Sequence, residues 1–267
     1  MSRSPGASRE ILRIAHRGAS LHAPENTLAA FETAIHQGID AIEFDVRLTA
    51  DGVPVVLHDD RLERTTDGRG PVAKASLQSI RRLDAGSWFA PRFRGERVPT
   101  LAEALECASD RCGVNIEIKT ETRRGRTLLR PTQGSRTEET LLAAAVAREL
   151  RRARTSRPPV ISSFSRTALE AVRTLLPRTR LGFLVSRSTR GVAQAHRALA
   201  LHSLHPHLRL ASWRRVAAAH RRGLLVLVWP VNDGPTLRRL IALGVDGVMT
   251  DDPLLFHPVR DASGGRI

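Results

Sequence analysis

The sequence predicts an α/β fold in which eight strand–helix units close into a (β/α)8 TIM barrel. Short runs of β-forming residues alternate with helical patterns from one end of the chain to the other. Eight such units in 267 residues match the size of one barrel. The main alternative is a doubly wound open sheet, but the glycine-rich dinucleotide fingerprint is missing after the first strand, at residues 16–20.

The individual elements follow from the local patterns. Strands are predicted at residues 12–16, 41–49, 113–119, 160–164, 181–185, 203–207, 224–231 and 247–250. Helices are predicted at residues 27–37, 101–108, 138–152, 166–176, 192–200, 213–222 and 235–243. Gly38, Gly223 and Gly244 directly follow three of these helices, which is where glycine commonly ends a helix.

Two segments interrupt the alternation, and a hairpin precedes the first of them. Asp51-Gly52 predicts a tight turn after the second strand, so residues 53–58 return antiparallel and carry His58 opposite Phe44 or Asp45, depending on register. Residues 60–100 contain several turn signals and are predicted to be an insertion after the second strand. The polar, arginine-rich residues 121–136 are predicted to be a mobile loop.

The net charge of +15 comes almost entirely from arginine, since Lys74 and Lys119 are the only lysines. An anionic partner is one interpretation of this charge. The arginines are scattered over the predicted helices, however, and the chain has no tyrosine and few other aromatic residues for base stacking. We therefore expect no nucleic acid partner, whereas a phosphate-binding active site would gain some electrostatic steering, and peripheral contact with anionic lipid stays open.

Composition also indicates a cellular compartment. No apolar run is long enough for a membrane span, and residues 1–10 lack the apolar core of a secretory signal, so a cytoplasmic enzyme is expected. Cys107 and Cys112 fit neither a disulfide framework nor a zinc site. The oligomeric state does not follow from the sequence.

Acidic residues are spaced two apart on two of the predicted strands. Glu43 and Asp45 therefore project from one face of the second strand, and Glu117 and Lys119 project from one face of the third. Barrel active sites lie at the C-terminal ends of the strands, where these side chains would meet. Three carboxylates without cysteine ligands favour one hard divalent cation, Mg²⁺ or Ca²⁺.

Histidines and basic residues are predicted at the same barrel mouth. His16 ends the first strand and His58 ends the hairpin arm, and two imidazoles suit a reaction that both removes and delivers a proton. Arg17 and Lys119 suit the oxygens of a phosphate. Together these residue types fit metal-assisted hydrolysis of a phosphodiester.

A series of short motifs occurs in order along almost the whole chain. They are His16-Arg17-Gly18, Ala23-Pro24-Glu25-Asn26-Thr27, Glu43-Phe44-Asp45-Val46, Asp51-Gly52, Leu57-His58-Asp59, Arg64-Thr65-Thr66-Asp67-Gly68, Val98-Pro99-Thr100-Leu101, Glu117-Ile118-Lys119, Ser163-Phe164, Val228-Trp229, Val231-Asn232 and Gly244-Val245-Asp246-Gly247-Val248-Met249-Thr250-Asp251. This ordered series resembles that of the glycerophosphodiester phosphodiesterases.

This resemblance implies one barrel domain, residues 1–267, that hydrolyses small glycerophosphodiesters to sn-glycerol 3-phosphate and an alcohol. The residues that it implies are metal ligands Glu43, Asp45 and Glu117, acid–base residues His16 and His58, phosphate contacts Arg17 and Lys119, and Trp229 beside the glycerol. It also implies that residues 60–100 cap the mouth.

Some alternatives stay open at this point. Pro230 departs from the family pattern beside Trp229, and Lys119 could instead neutralise Glu117 or Asp45. A lysophospholipase D-type activity on lipids with one acyl chain is a second enzyme hypothesis. The third is a basic barrel without catalysis that binds nucleic acid or anionic lipid. Direct attack by water and attack through a cyclic intermediate are both compatible with the residues.

Overall fold

The fold was described from a computed structural model for residues 11–119, 122–123, 126–127, 133–153 and 155–256. The strands of these residues are β1 (Leu12–His16), β2 (Ala41–Leu48), β3 (Pro54–Val56), β4 (Gly113–Ile118), β5 (Thr122–Arg123), β6 (Arg126–Thr127), β7 (Val160–Ser163), β8 (Arg180–Val185), β9 (Ser203–Pro206), β10 (Leu225–Val228) and β11 (Gly247–Thr250). The α-helices are α1 (Leu28–His36), α2 (Leu77–Ile80), α3 (Leu101–Ala108), α4 (Gln133–Arg152), α5 (Arg166–Leu175), α6 (Val192–Leu199), α7 (Trp213–His220) and α8 (Gly234–Ala242).

Parallel pairing closes the sheet on itself. The order around the barrel is β1, β2, β4, β7, β8, β9, β10 and β11, and β1 pairs with both β2 and β11. The register places Ile14 beside Met249 on one side and His16 beside Glu43 on the other. These eight parallel strands of the described chain confirm the predicted (β/α)8 TIM barrel and exclude the open doubly wound sheet.

Local signals explain why the helices begin and end where they do. The Thr27 hydroxyl accepts a hydrogen bond from the amide of Ala30 and caps α1, and Gly38 after the helix has a φ of 74°. At α3, the Thr100 side chain and the Glu103 side chain cap each other's backbone amides. On the buried face of α1, Phe31 packs with its ring centre 5.4 Å from that of Phe44 on β2.

The predicted hairpin forms next to the barrel mouth. Strand β3 pairs antiparallel with the end of β2, with Val46 opposite Val56, and the amide of Leu57 continues the pairing by donating to the carbonyl of Asp45. Extending this register by two residues would set His58 opposite Phe44, one of the two predicted positions. The hairpin therefore brings His58 to the strand that carries Glu43 and Asp45.

Residues 60–100 fold against this hairpin. They contain two short 3₁₀ turns, at Val72–Lys74 and Pro91–Phe93, together with α2. Their apolar side chains form a small core of their own with Val55 and Leu57 of the hairpin arm, contributed by Leu62, Val72, Ile80, Ala85 and Val98. The insertion is thus tied to the chain segment that positions His58.

The observed elements differ from the predicted ones mainly at their ends. Strand β10 stops at Val228 rather than at residue 231, since Pro230 has no amide to donate to a neighbouring strand. Helix α4 begins at Gln133 rather than at 138. The prediction of a mobile loop at residues 121–136 is wrong at residues 133–136, which begin α4, and residues 122–123 and 126–127 pair as the antiparallel strands β5 and β6. The rest of this segment, and the side chains of all its arginines, lie outside the described residues.

Cys107 and Cys112 are both free thiols in the structure. No α-helix among the described residues is both long enough and apolar enough to cross a lipid bilayer.

The turn after β1 depends on a glycine. Gly18 has a φ of 81°, and a Cβ atom at this position would lie 2.7 Å from the backbone carbon of Ala30. Gly38 has a φ of 74° with open space around it.

We predict that Gly38→Ala costs about 1 kcal/mol of unfolding free energy through backbone strain alone. Gly18→Ala should cost at least about 2 kcal/mol, because the contact with α1 adds to the strain.

Denaturant unfolding of both variants and of the unsubstituted protein measures the difference. Equal losses for the two alanine variants would show that the close approach of the turn to α1 does not require glycine.

Candidate active site

A cavity of about 660 Å³ opens at the C-terminal ends of the barrel strands. Parallel strands end at the same rim, so side chains from separate strands converge there. The predicted site residues that line the cavity are His16, Arg17, Glu43, His58, Glu117, Lys119 and Trp229. Asp45 lies just behind this surface, with 1% of its side chain exposed. The structure thus brings all eight predicted site residues together.

The three predicted carboxylates form one buried cluster. Glu43 and Asp45 share a face of β2, and the parallel register sets Glu117 of β4 beside Asp45. One oxygen from each carboxylate lies within 4.8 Å of the other two. This separation allows the three oxygens to bind a single ion.

The carboxyl groups of this cluster have different pKa values, because burial and neighbouring charges act on each of them differently. Burial, followed by the charges of Asp45 and Glu117, raises the pKa of Glu43 well above its ordinary value. Burial also acts to raise the pKa of Asp45, but the charges of Lys119 and Arg17 outweigh it and hold the pKa well below its ordinary value. Ionisation of all three carboxylates is therefore costly, and either a proton on Glu43 or a bound cation would relieve the repulsion.

Two basic side chains partly offset this charge. The Lys119 ammonium lies 2.8 Å from an oxygen of Glu117 and 3.3 Å from an oxygen of Asp45. Burial lowers the pKa of Lys119, and the charges of Glu117 and Asp45 outweigh it to give a raised value. Lys119 thus forms ion pairs with Glu117 and Asp45, which was one of the two roles that the sequence left open for it. It also lines the cavity.

Arg17 makes the corresponding contacts from the turn after β1. Its Nη1 donates to Glu25 at 2.9 Å, and its Nε lies 3.2 Å from an oxygen of Asp45. Burial lowers the pKa of Arg17, but the charges of Asp45, Glu25 and Glu43 outweigh it and raise the pKa. The guanidinium is therefore held at the edge of the acidic cluster in its charged form.

The donor atoms of the cluster fit a hard divalent cation. Carboxylate oxygens are the ligands that Mg²⁺ and Ca²⁺ prefer, and three of them meet within one ion's reach here. The buried Oδ1 of Asp45 has no hydrogen-bond partner among the residues that the structure describes, although the Lys119 ammonium lies 3.3 Å away. A buried carboxylate oxygen without a hydrogen bond is a costly arrangement that coordination of a cation would satisfy.

Each of the two histidines is hydrogen-bonded to an aspartate through Nδ1. His16 Nδ1 lies 2.6 Å from Asp251, and His58 Nδ1 lies 2.6 Å from Asp59. Burial acts to raise the pKa of Asp251, but the hydrogen bond and charge of His16 together with the hydrogen bonds from Asn232 and Ser20 outweigh it and lower the pKa to about 2. The hydrogen bond to His58 is the largest influence on Asp59 and lowers its pKa well below the ordinary value.

This pairing assigns the tautomer of each imidazole. An ionised carboxylate only accepts hydrogen bonds, so Nδ1 of His16 and of His58 must carry the proton that it shares with aspartate. The Nε2 atom is then the one that gains or loses a proton. For His16, Nε2 lies 3.9 Å from an oxygen of Glu43, at the edge of the acidic cluster.

The opposite wall of the cavity is apolar. The ring of Trp229 stands edge-on to Phe164, with centres 5.6 Å apart, and edge-on to His207, with centres 5.2 Å apart. The Trp229 indole donates to the carbonyl of His205 at 2.9 Å, which fixes the ring. Leu184 also lines this side. The ring of Trp229, the residue before Pro230, is thus held by Phe164, His207 and the carbonyl of His205.

Asn26 is a site residue that the sequence reasoning did not select. It is buried, has a φ of 59°, donates to Asp45 Oδ2 at 2.9 Å and accepts from the Asp45 amide at 3.3 Å. It therefore orients one carboxylate of the cluster. The left-handed backbone, which asparagine tolerates better than most residues, leaves no pattern in the sequence by itself.

Arg47 and Asn115 were missed although their spacing could have identified them. Arg47 follows Asp45 by two residues on the same face of β2, lines the cavity and donates to the carbonyl of His58 at 2.8 Å. Asn115 precedes Glu117 by two residues on β4 and also lines the cavity. Extending each two-residue alternation by one more step would have found both.

Comparison with known proteins gives consistent matches. The sequence matches the Glycerophosphoryl diester phosphodiesterase family over residues 16–255. It is 39% identical over 245 residues to a glycerophosphodiester phosphodiesterase of Caldanaerobacter subterraneus, covering 91% of this chain and 94% of that one. A glycerophosphodiester phosphodiesterase of Bacillus subtilis is 34% identical over 268 residues, with 94% and 86% covered.

Solved structures of phosphodiesterases have the same fold as this chain. A phosphodiesterase of Oleispira antarctica, in complex with its product sn-glycerol-3-phosphate, superimposes with a TM-score of 0.82 and 36% identity over 90% of this chain and 93% of that one. A glycerophosphodiester phosphodiesterase of Agrobacterium tumefaciens gives a TM-score of 0.74 at 31% identity, with 92% and 99% covered.

These matches extend over the barrel strands and the site described above. They confirm the resemblance seen in the ordered motifs and the prediction that the chain is a phosphodiesterase enzyme. The chain belongs to the Glycerophosphoryl diester phosphodiesterase family.

Proposed function

We propose that this protein hydrolyses small glycerophosphodiesters to sn-glycerol 3-phosphate and an alcohol. The observation that carries the proposal is the meeting of three buried carboxylates, two aspartate-bound histidines and two basic side chains at one cavity. The similarity to an Oleispira antarctica phosphodiesterase in complex with sn-glycerol-3-phosphate supports this choice of product. The chain would act as one barrel domain, with residues 60–100 as a cap over the mouth.

Glu43, Asp45 and Glu117 would together hold one divalent cation, Mg²⁺ or Ca²⁺. Such an ion supplies charge that polarises a bound phosphoryl group. Asn26 orients Asp45 for this purpose through its two hydrogen bonds. The charge balance supports the assignment, because Lys119 and Arg17 compensate only part of the negative charge of the cluster.

His16 and His58 would move the protons of the reaction at Nε2. One imidazole takes the proton of the attacking oxygen, and the other delivers a proton to the departing alkoxide. Asp251 and Asp59 hold the two rings in the Nδ1-protonated tautomer, which leaves Nε2 to face the substrate. The arrangement serves equally for attack by water and for attack by a hydroxyl of the glycerol.

Arg17 and Lys119 would contact the phosphate, and Trp229 would lie beside the glycerol. Both basic groups line the cavity in charged form next to the carboxylates, where an anionic phosphate would otherwise be repelled. The edge-on pair of Trp229 and Phe164 offers a rigid apolar wall for the carbon atoms of the substrate.

The lysophospholipase D-type alternative uses the same residues on a lipid with one acyl chain. Its test is release of lysophosphatidic acid from lysophosphatidylcholine. A barrel that only binds anionic ligands would need neither the paired histidines nor the buried carboxylates, so these groups favour an enzyme over this third hypothesis.

Turnover should require a hard divalent cation. We predict that EDTA abolishes release of glycerol 3-phosphate from glycerophosphocholine and glycerophosphoethanolamine, and that excess Mg²⁺ or Ca²⁺ restores it. A coupled assay for glycerol 3-phosphate measures the rate, while a thermal melt confirms that the chelated protein stays folded. Full activity in EDTA would contradict the assignment of the carboxylate cluster to a metal.

His58→Ala should reduce kcat at least ~100-fold without loss of folding, which is the usual weight of a general acid or base. His22 offers a matched control, because its Nε2 lies 2.7 Å from Asp252 and its side chain is as exposed as that of His58, at 31%. His22→Ala should retain the kcat of the unsubstituted enzyme. A near-normal rate in His58→Ala would remove this imidazole from the mechanism.

Glu43→Gln should stabilise the ion-free protein. At neutral pH the buried Glu43 carboxylate faces Asp45 and Glu117, and its raised pKa means that ionisation is more costly in the folded protein than in the unfolded chain. Stability from this group is present at low pH and lost as pH rises above the unfolded pKa. We predict that the neutral amide raises Tm in EDTA by about 2 °C or more.

The same variant should lose the rise in Tm that added Mg²⁺ or Ca²⁺ gives the unsubstituted protein. Differential scanning fluorimetry with and without the cation measures both effects. A lower Tm in EDTA than that of the unsubstituted protein would show that repulsion among the carboxylates does not dominate the cluster.

A further inference from the structure

Arg64 is an insertion residue with no function assigned so far, although it belongs to one of the ordered motifs. Its guanidinium reaches out of the insertion to two carboxylates on different segments. Nη1 and Nη2 each donate to one oxygen of Glu25 at 2.8 Å. Nε donates to Asp59 at 2.6 Å, and Nη2 also lies 3.2 Å from the second oxygen of Asp59.

Each of these carboxylates has a second partner in the site. Asp59 is bonded to Nδ1 of His58, and Glu25 accepts from Nη1 of Arg17 at 2.9 Å. Arg17 in turn contacts Asp45. Arg64 is therefore the link that joins the hydrogen bonds of His58 to those of Arg17 in one continuous chain.

We propose that Arg64 is a positioning residue that couples the docked insertion to catalysis by orienting His58 through Asp59 and Arg17 through Glu25. This role rests on the proposed function, since it acts on the residues assigned to proton transfer and phosphate binding. Within the described part of the chain, the hydrogen bonds of Arg64 go to Glu25 and Asp59, and Arg64 is not among the residues that line the cavity.

The geometry of the contact requires arginine. The guanidinium is a planar fork with five donor hydrogens, and here it pairs with both oxygens of Glu25 while its Nε serves Asp59. A lysine ammonium is a single point charge and cannot reproduce this bidentate pairing. The hydrogen bond from Arg64 also lowers the pKa of Glu25 against the effect of burial, which keeps the carboxylate charged for Arg17.

A second arginine in the insertion shows what a purely structural contact looks like. Arg81 follows α2 and pairs with Glu103 on α3 at 2.7 Å, which also ties the insertion to the barrel. Its side chain is 46% exposed, compared with 44% for Arg64. Neither Arg81 nor Glu103 lines the cavity. Arg81→Met therefore removes an ion pair between the insertion and the barrel, smaller than that of Arg64, without touching the chain from His58 to Arg17.

The test compares kcat, KM and Tm for Arg64→Met, Arg64→Lys and Arg81→Met. We expect Arg64→Met to lose about tenfold to a hundredfold in kcat, as misplacement of a catalytic group does. Arg81→Met should keep the kcat of the unsubstituted enzyme. Arg64→Lys should recover only part of the rate. A kcat of Arg64→Met within twofold of that of Arg81→Met, or full activity in Arg64→Lys, would overturn the positioning role.

A double-mutant cycle with His58→Ala separates positioning from general destabilisation. If Arg64 acts on kcat partly through His58, Arg64→Met should lower kcat by a smaller factor in the His58→Ala background than in the unsubstituted enzyme, because only the route through Glu25 and Arg17 is left. An equal loss in both backgrounds would overturn the coupling.

Failure of the proposed function gives different results from failure of the role of Arg64. Absence of glycerophosphodiester turnover in the unsubstituted enzyme would overturn the function and the role of Arg64 with it. Normal turnover in His58→Ala would leave the function standing, but would remove His58 from the mechanism and overturn the role of Arg64 in orienting it. Normal turnover in Arg64→Met beside a defective His58→Ala would overturn the role of Arg64 alone.

Discussion

The convergence of Glu43, Asp45 and Glu117 is the constraint on which the rest of the site depends. Three carboxylates with oxygens within 4.8 Å of one another repel each other strongly when they are buried and ionised. Lys119 and Arg17 offset part of this repulsion, and they do so at the point where an anionic phosphate would bind. The proposed cation would relieve the repulsion that remains.

Barrel topology makes this convergence possible. Alternation along β2 puts Glu43 and Asp45 on one face, and the parallel register with β4 adds Glu117 beside them. Closure of the sheet brings the two ends of the chain together, so that His16 on β1 meets Asp251 after β11. The hairpin and the insertion then deliver His58 and Arg64 to the same rim, from segments outside the eight-stranded barrel.

The barrel and the acidic cluster could be predicted from the sequence because both depend on short-range spacing. Alternating strands and helices predict the closed sheet, and carboxylates two residues apart share a face whatever the exact strand ends are. Arg47 and Asn115 obey the same spacing and were within reach of this reasoning.

Other contacts could not be predicted in this way, since they join residues that are distant in the chain. Asp251 lies 235 residues from its partner His16, and Arg64 lies 39 residues from Glu25. Asn26 reaches Asp45 only because its backbone adopts a left-handed conformation. Such pairings depend on how the barrel closes and how the insertion docks, which local patterns do not encode.

Anomalous diffraction from crystals soaked in Mn²⁺, a hard cation that takes the same oxygen ligands, tests the central claim most directly. The account predicts one strong peak in the cavity, about 2.0–2.6 Å from an oxygen of each of Glu43, Asp45 and Glu117. A peak bound elsewhere in the cavity, or no peak between these carboxylates at saturating Mn²⁺, would contradict it.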